Sequence, residues 1–174
     1  YENCPEDEAH ELFKLPEFIT KMVENKWFGS KTGQGFYKKV DKDILSLDLN
    51  TLEYRPAKKA SFATLKKTKT IDKPIDRFKI LIKGQDKAGE FYRKSFAALL
   101  AYVSNRIPEI SHELYKIDDA MKAGFGWENG PFEIWDAIGV EKGIEMIKAE
   151  GHTPAAWVNE MLASGSNSFY SVKE

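Results

Sequence analysis

Residues 29–37 read Gly-Ser-Lys-Thr-Gly-Gln-Gly-Phe-Tyr, three glycines in seven positions ahead of an aromatic pair and Lys38-Lys39. Glycines at this density serve two phosphate chemistries. A mononucleotide cradle needs Gly, four residues, then Gly-Lys-Ser/Thr, so that backbone N–H groups and the lysine close on one phosphate. Here Lys31 precedes the second glycine, and the cradle cannot be built in that order. A dinucleotide turn needs Gly-x-Gly-x-x-Gly between a strand and a helix. Position 38 is lysine where the third glycine belongs, and the stretch follows a helical pattern. Both phosphate readings fail, which leaves a turn in which glycine supplies positive φ as a helix reverses into a strand.

The other chemistry-bearing residues are sparse. His10, His112 and His152 are far apart and have no ligand-spaced neighbours, so no metal site is expected. Glu109 and Glu113 flank His112 as a helix surface would, and no Ser-His-Asp or Cys-His arrangement can be assembled. Cys4 is the single cysteine, which excludes an intrachain disulfide and suits a reducing, cytoplasmic setting. Net charge is −1, which argues against a global pull toward nucleic acid or anionic lipid. The charge is segregated all the same. Residues 55–79 hold nine Lys or Arg against Asp72 and Asp76, but only Phe62 and Phe78 are aromatic there. A nucleic-acid platform interleaves more aromatics than that, so a solvated connector over 56–74 is expected, and no nucleic-acid partner. No apolar run approaches the roughly 20 residues of a membrane span.

The elements that would position these residues are mostly helical. Eleven Phe, seven Tyr and four Trp are enough to build a packed core. Pro16 opens a helix whose stripe is Phe18, Ile19, Met22 and Val23, with Gly29 as its left-handed cap. Strand-type residues from Phe36 to Tyr54, around the turn Asp48-Leu49-Asn50-Thr51, predict a small β-hairpin over 35–55. Phe78, Leu81 and Ile82 predict a short helix ended by Gly84. The strongest helical signal runs over 87–107. Pro108 should kink or restart that helix, and Ile110, Leu114 and Ile117 carry it on to the break at Gly124-Phe125-Gly126. Pro131 starts another helix that Gly139 stops, helices follow near 141–149 and 154–163, and 164–171 reads as a loop.

One corner stands out, residues 117–139. Trp127, Phe132 and Trp135 are large anchors, Gly124, Gly126 and Gly130 allow close backbone approach, and Asp136 could brace backbone. Physics alone reads a packed helix–turn–helix corner ahead of a small-molecule pocket.

Together the two stretches resemble the C-terminal helical region of the 3-hydroxyacyl-CoA dehydrogenases. Lys31-Thr32-Gly33-Gln34-Gly35-Phe36-Tyr37 is similar to the family pattern that ends one copy of its helical domain. Asn105-Arg106, Asp118, Ala120-Met121, Gly124, Gly130-Pro131-Phe132-Glu133, Asp136 and Gly139 are similar to the long pattern that begins one. The likeness covers about 16–39 and 96–140, with the closing pattern first.

That order implies 1–40 as the tail of a first helical repeat, and 41–75 as hairpin and connector. It implies 76–164 as a second repeat and 165–174 as a linker onward. Such a tandem resembles the multifunctional enzymes of fatty-acid β-oxidation, including the form carrying an enoyl-CoA hydratase. The implied fold is mainly α, a bundle of the 6-phosphogluconate-dehydrogenase C-terminal type. The implied reaction is hydride transfer from an L-3-hydroxyacyl-CoA to NAD, with a His–Glu base pair and glycine fingerprint in a nucleotide domain. None of these lies in this sequence, so the isolated chain is expected to bind no cofactor and to be inactive. Asn105 matches the family's substrate-contacting asparagine and is expected to be vestigial. The implied partners are an upstream nucleotide domain and first repeat, with a homodimer a further option. A free-standing helical interaction module and a nucleic-acid binder through 55–79 are the rival readings.

Overall fold

The computed structural model describes residues 2–171 and falls into two units, Tyr1–Ala60 and Ser61–Glu174. It is mainly α-helical with one small antiparallel sheet.

In the first unit, α1 (Glu17–Glu24) buries Met22 and is braced by a Glu17–Lys21 ion pair. It ends earlier than the glycine pattern predicts. Lys26 takes the left-handed conformation (φ 59°), and Trp27 N–H donates to the Met22 carbonyl at 2.8 Å. That backbone bond closes the helix with a non-glycine cap, so Gly29 is not the terminator. The sheet is a three-stranded meander of β1 (Tyr37–Val40), β2 (Asp43–Leu47) and β3 (Tyr54–Pro56). Its register sets Tyr37 opposite Ser46 and Leu47 opposite Tyr54. Asp48 Oδ1 accepts the N–H groups of Asn50 and Thr51, the local bonding that makes aspartate a turn former.

The second unit is all helix: α2 (Ala63–Thr68), α3 (Pro74–Leu81), α4 (Lys87–Asn105), α5 (Leu114–Phe125), α6 (Pro131–Ile138), α7 (Val140–Ala149) and α8 (Ala156–Ala163). The predicted connector therefore contains a helix. Thr64 and Thr68, four residues apart, are buried, while Lys66 and Lys67 face water. Lysine density masked a one-turn inner face that hydropathy cannot see in threonines. Asp86 caps α4 through Gly89 N–H and also accepts Thr64 N–H, which fixes α2 to the start of α4. These donors hold its carboxyl at about 2, below the ordinary aspartate value.

The core lies where α4 meets α6 and α7. Leu100 of α4, Phe132 and Trp135 of α6, Ile147 of α7 and Val158 of α8 are fully buried. Each contributes about 1.5–3 kcal/mol of apolar burial. Trp135 Nε1–H donates to the Val140 carbonyl at 3.0 Å, which removes the penalty of burying an indole. Pro108 stops the long helix outright: 106–110 are turns, and α5 begins afresh at Leu114.

Candidate functional site

The glycine-rich stretch comes first, because a nucleotide would have to bind there. Thr32 Oγ1 accepts Phe28 N–H at 2.9 Å and lies 3.2 Å from the Gln34 carbonyl. Gly33 is left-handed (φ 79°). A Cβ on Gly35 would stand 2.7 Å from Gly29 N, so the loop's backbone packs on itself. Lys31 lies in a three-residue 3-10 turn, and Phe36-Tyr37 lead into β1. A pyrophosphate site needs a helix N-terminus after the glycines. Here a strand follows, so these residues do not fit NAD.

The corner built by α5 and α6 is organised by two carboxylates. Asp118, 1 % exposed on α5, accepts the N–H groups of Phe132 (2.9 Å) and Glu133 (3.0 Å) at the first turn of α6. It thus caps a helix that is not its own. Glu133 Oε2 accepts Gly130 N–H, and its other oxygen meets Lys122 Nζ at 2.8 Å. Gly130 leaves the space that Asp118 fills, since a Cβ there would lie 2.2 Å from the aspartate Cβ. The close approach expected of Gly124 and Gly126 does not occur: both face open space, and Gly126 instead ends α5 in the left-handed region.

Asp136, near the end of α6, accepts the N–H groups of Phe169 (2.8 Å) and Tyr170 (3.0 Å). Tyr170 Oη–H donates to Asp118 Oδ2 at 2.9 Å. The Phe169 ring stands edge-on to Phe132 and Trp135, each at 5.2 Å between centroids. Burial pushes both aspartates above their ordinary value, against the pull of the donors, and pushes the Tyr170 hydroxyl up as well. So 165–171 is no free linker but a strap closing the corner; residues 172–174 lie outside the described residues. The serine-rich composition concealed this, although the Phe-Tyr pair signals it by repeating Phe36-Tyr37. Replacing Tyr170 with phenylalanine is expected to cost about 1.5 kcal/mol in urea denaturation, because a charged acceptor loses one donor. A loss under about 0.3 kcal/mol would remove the hydroxyl from the corner's structure.

Asn105 lies elsewhere, at the end of α4, where its Nδ2 is 3.5 Å from the Thr153 carbonyl. Ser104, which the sequence reading passed over, ties α4 to the start of α8. Its Oγ accepts Ala155 N–H at 2.9 Å, and its carbonyl accepts Trp157 Nε1–H at 3.0 Å. Between α4 and α5 runs an open groove of about 870 Å³, with Val103, Ile117 and Met121 as apolar lining and Arg106, His112 and Lys116 among its polar groups. Arg106 stacks over Tyr102 and pairs with Glu109, and Lys116 pairs with Glu113. Asn105 does not line it. Among the described residues no cluster of three possible metal ligands occurs, and no helix is long and apolar enough to cross a membrane.

No family model matches the chain, and no solved structure does. Among curated proteins it is 40 % identical, over all 174 of its residues, to a "Probable 3-hydroxyacyl-CoA dehydrogenase" of Bacillus subtilis. The chain is homologous to 3-hydroxyacyl-CoA dehydrogenases. A "Putative fatty acid oxidation complex trifunctional enzyme" of Rickettsia prowazekii is 25 % identical over 147 residues, 81 % of this chain. Its Rickettsia felis namesake is 25 % identical over 134 residues, 74 % of it. The chain spans about a fifth of the length of these relatives: 22 %, 18 % and 17 %. The resemblance read from two motifs thus extends through the meander and α2, which neither motif covers.

Proposed function

We propose that the chain is the C-terminal helical part of an NAD-dependent L-3-hydroxyacyl-CoA dehydrogenase of fatty-acid β-oxidation. In this reading it supports the substrate domain. The observation that carries this reading is its end-to-end alignment with about a fifth of a relative bearing that name. Cofactor binding and proton abstraction belong to an upstream nucleotide domain, because the glycine stretch here packs on itself and precedes a strand. Asn105 is vestigial in this scheme, because the nucleotide domain that its substrate-contacting role requires lies outside these residues.

The contribution of these residues is mechanical. Asp118 and Asp136 join α5, α6 and the strap into one corner, and the fully buried Phe132 and Trp135 join that corner to α4 and α7. Such a rigid helical body serves to hold neighbouring parts of an enzyme in productive geometry. A cytoplasmic setting suits the exposed free thiol of Cys4.

The test is an NADH assay with 3-hydroxybutyryl-CoA. The 174-residue chain is expected to reduce no NAD, and a protein extended upstream to the length of the relatives is expected to turn over. Reduction by the short chain, or none by the long one, would overturn the proposal.

A further inference from the structure

The groove between α4 and α5 changes polarity along its length. Five of its lining residues, Glu113, Lys116, Ile117, Ala120 and Met121, have the three- and four-residue spacing of a single helix face, from the residue before α5 onward. The charged ones come first. Arg106, which follows α4, and His112 line the same end, where the chain joins the two helices. Beyond Lys116 the lining turns apolar: Val103 is buried, Ile117 and Met121 are half-buried, and Ala120 is exposed at the edge. Ile110, a large apolar side chain at the charged end, is 70 % exposed.

The charged end is lined by Arg106, Lys116 and Glu113, a net of +1 with His112 counted neutral. Both cations are held in place. The Arg106 guanidinium lies over the Tyr102 ring at 4.8 Å, and its Nη1 meets Glu109 Oε2 at 2.7 Å, a carboxylate outside the lining. Lys116 Nζ pairs with Glu113 Oε2. The two glutamate side chains are 60 % and 48 % exposed, and ion pairs so wetted rearrange at little cost. An ammonium has three donors, and Glu113 Oε2 takes one, so Lys116 can hold a second anion. The volume of about 870 Å³ lies within the range of about 300–1,000 Å³ typical of small-molecule sites. On α5 the lining runs from Glu113 to Met121, about 12 Å at the helical rise.

We propose that this groove binds a free medium-chain fatty carboxylate, with the headgroup on Lys116 and Arg106 and the chain laid over Val103, Ile117 and Met121. An extended decanoate chain matches the length of the lining. Burial of the chain supplies the affinity, and the cations fix its direction. Net charge selects the headgroup. One excess positive charge suits one carboxylate. A coenzyme A thioester brings several phosphate charges, for which the described lining has no further Lys or Arg. An alkylamine meets like charge. The site uses neither Asn105 nor a nucleotide domain, and it lies wholly within the second unit, so it holds whatever reaction the longer protein performs.

The experiment titrates decanoate, below its micellar range, into the 174-residue chain by calorimetry and follows the Ile and Met methyl groups by NMR. Saturation at one decanoate per chain is expected, with shifts at Ile110, Ile117 and Met121 and none at Ile19, Met22 or Ile44. Ala120→Trp fills the groove from an exposed position and is expected to weaken binding at least about tenfold. Lys116→Gln is expected to weaken it at least about fivefold. Decylamine should bind at least about tenfold more weakly than decanoate, and decanoyl-CoA no more tightly. Absence of saturable binding, or shifts spread over both units, overturns the proposal without recourse to any variant. Undiminished binding by a folded Ala120→Trp protein overturns it too, as does equal binding of decylamine. Tighter binding of decanoyl-CoA overturns the assignment to a free carboxylate.

Discussion

Replacing Asp118 with alanine is expected to lower the stability of the Ser61–Glu174 unit by about 3–4 kcal/mol. That corresponds to a fall of about 10–20 °C in its thermal midpoint. Three donors lose their acceptor at once: Phe132 N–H, Glu133 N–H and Tyr170 Oη–H. Two of them are amides at the start of α6, where no intrahelical carbonyl can replace the aspartate. The gain on the other side is relief from burying a carboxylate, and burial is the largest influence on this group. The donors outweigh that gain because orphaned buried amides bear their full desolvation cost, about 1–3 kcal/mol each. Asparagine fills the space but turns an amide toward one donor, so Asp118→Asn should cost about half as much.

The pH dependence has a defined sign. The folded pKa of Asp118 lies above its unfolded value, so the native state binds the proton more tightly. The stability linked to this group is therefore fully present below the unfolded value. It declines as pH rises through the folded one. Asp136 acts in the same direction, and Asp86, depressed to about 2, in the opposite one, losing its contribution as pH falls from about 4 toward 2. Denaturation of native and Asp118→Ala proteins between pH 4 and 7 should show a shallower decline in the variant. A loss below about 1 kcal/mol throughout would mean that Asp118 does not hold the corner.

Much of this architecture is legible in the residues. The stripe of α4 and the Pro131…Gly139 brackets of α6 mark helices by period and by backbone chemistry, and Asp48 with Asn50 marks the meander's turn. What escaped has physical causes. The end of α1 is made by a backbone bond from Trp27 that forces Lys26 left-handed, and such a bond leaves no trace in residue type. Helix α2 is short, lysine-rich and buried through Thr64 and Thr68, whose hydroxyls count as polar on any hydropathy scale. The strap is the sharpest case. Serines at 164, 166 and 168 advertise a loop, and the segment 166–171 has no helix or strand. Its binding comes from one phenylalanine ring, one hydroxyl and two amides that meet carboxylates more than thirty residues away. A local window cannot register partners at that distance. Asp118 and Asp136 have the spacing of ordinary helix-surface acids, and only the packing of α5 against α6 turns one of them inward.

Gly130 and Gly124 belong to the same motif, yet alanine at the two positions should act with opposite sign. At Gly130, φ is −78°, a conformation any residue adopts, so the demand for glycine is one of space. A Cβ there would stand 2.2 Å from Asp118 Cβ, 2.3 Å from its Cγ and 2.5 Å from its Cα. Because the last of these is backbone, no rotamer change relieves it; α5 must move away from α6. Overpacking of this kind costs about 1–3 kcal/mol. Moving Asp118 also lengthens both capping bonds, so Gly130→Ala should cost about 3–5 kcal/mol in all. At Gly124, within α5, a Cβ would meet nothing within 4 Å. Alanine there should stabilise the helix by up to about 1 kcal/mol. The two capping losses at Gly130 and Asp118 are the same loss, so Gly130→Ala made in an Asp118→Ala background should cost clearly less than alone. Additive effects in that double-mutant cycle, or equal effects at the two glycines, would mean that Gly130 serves something other than the seat of Asp118.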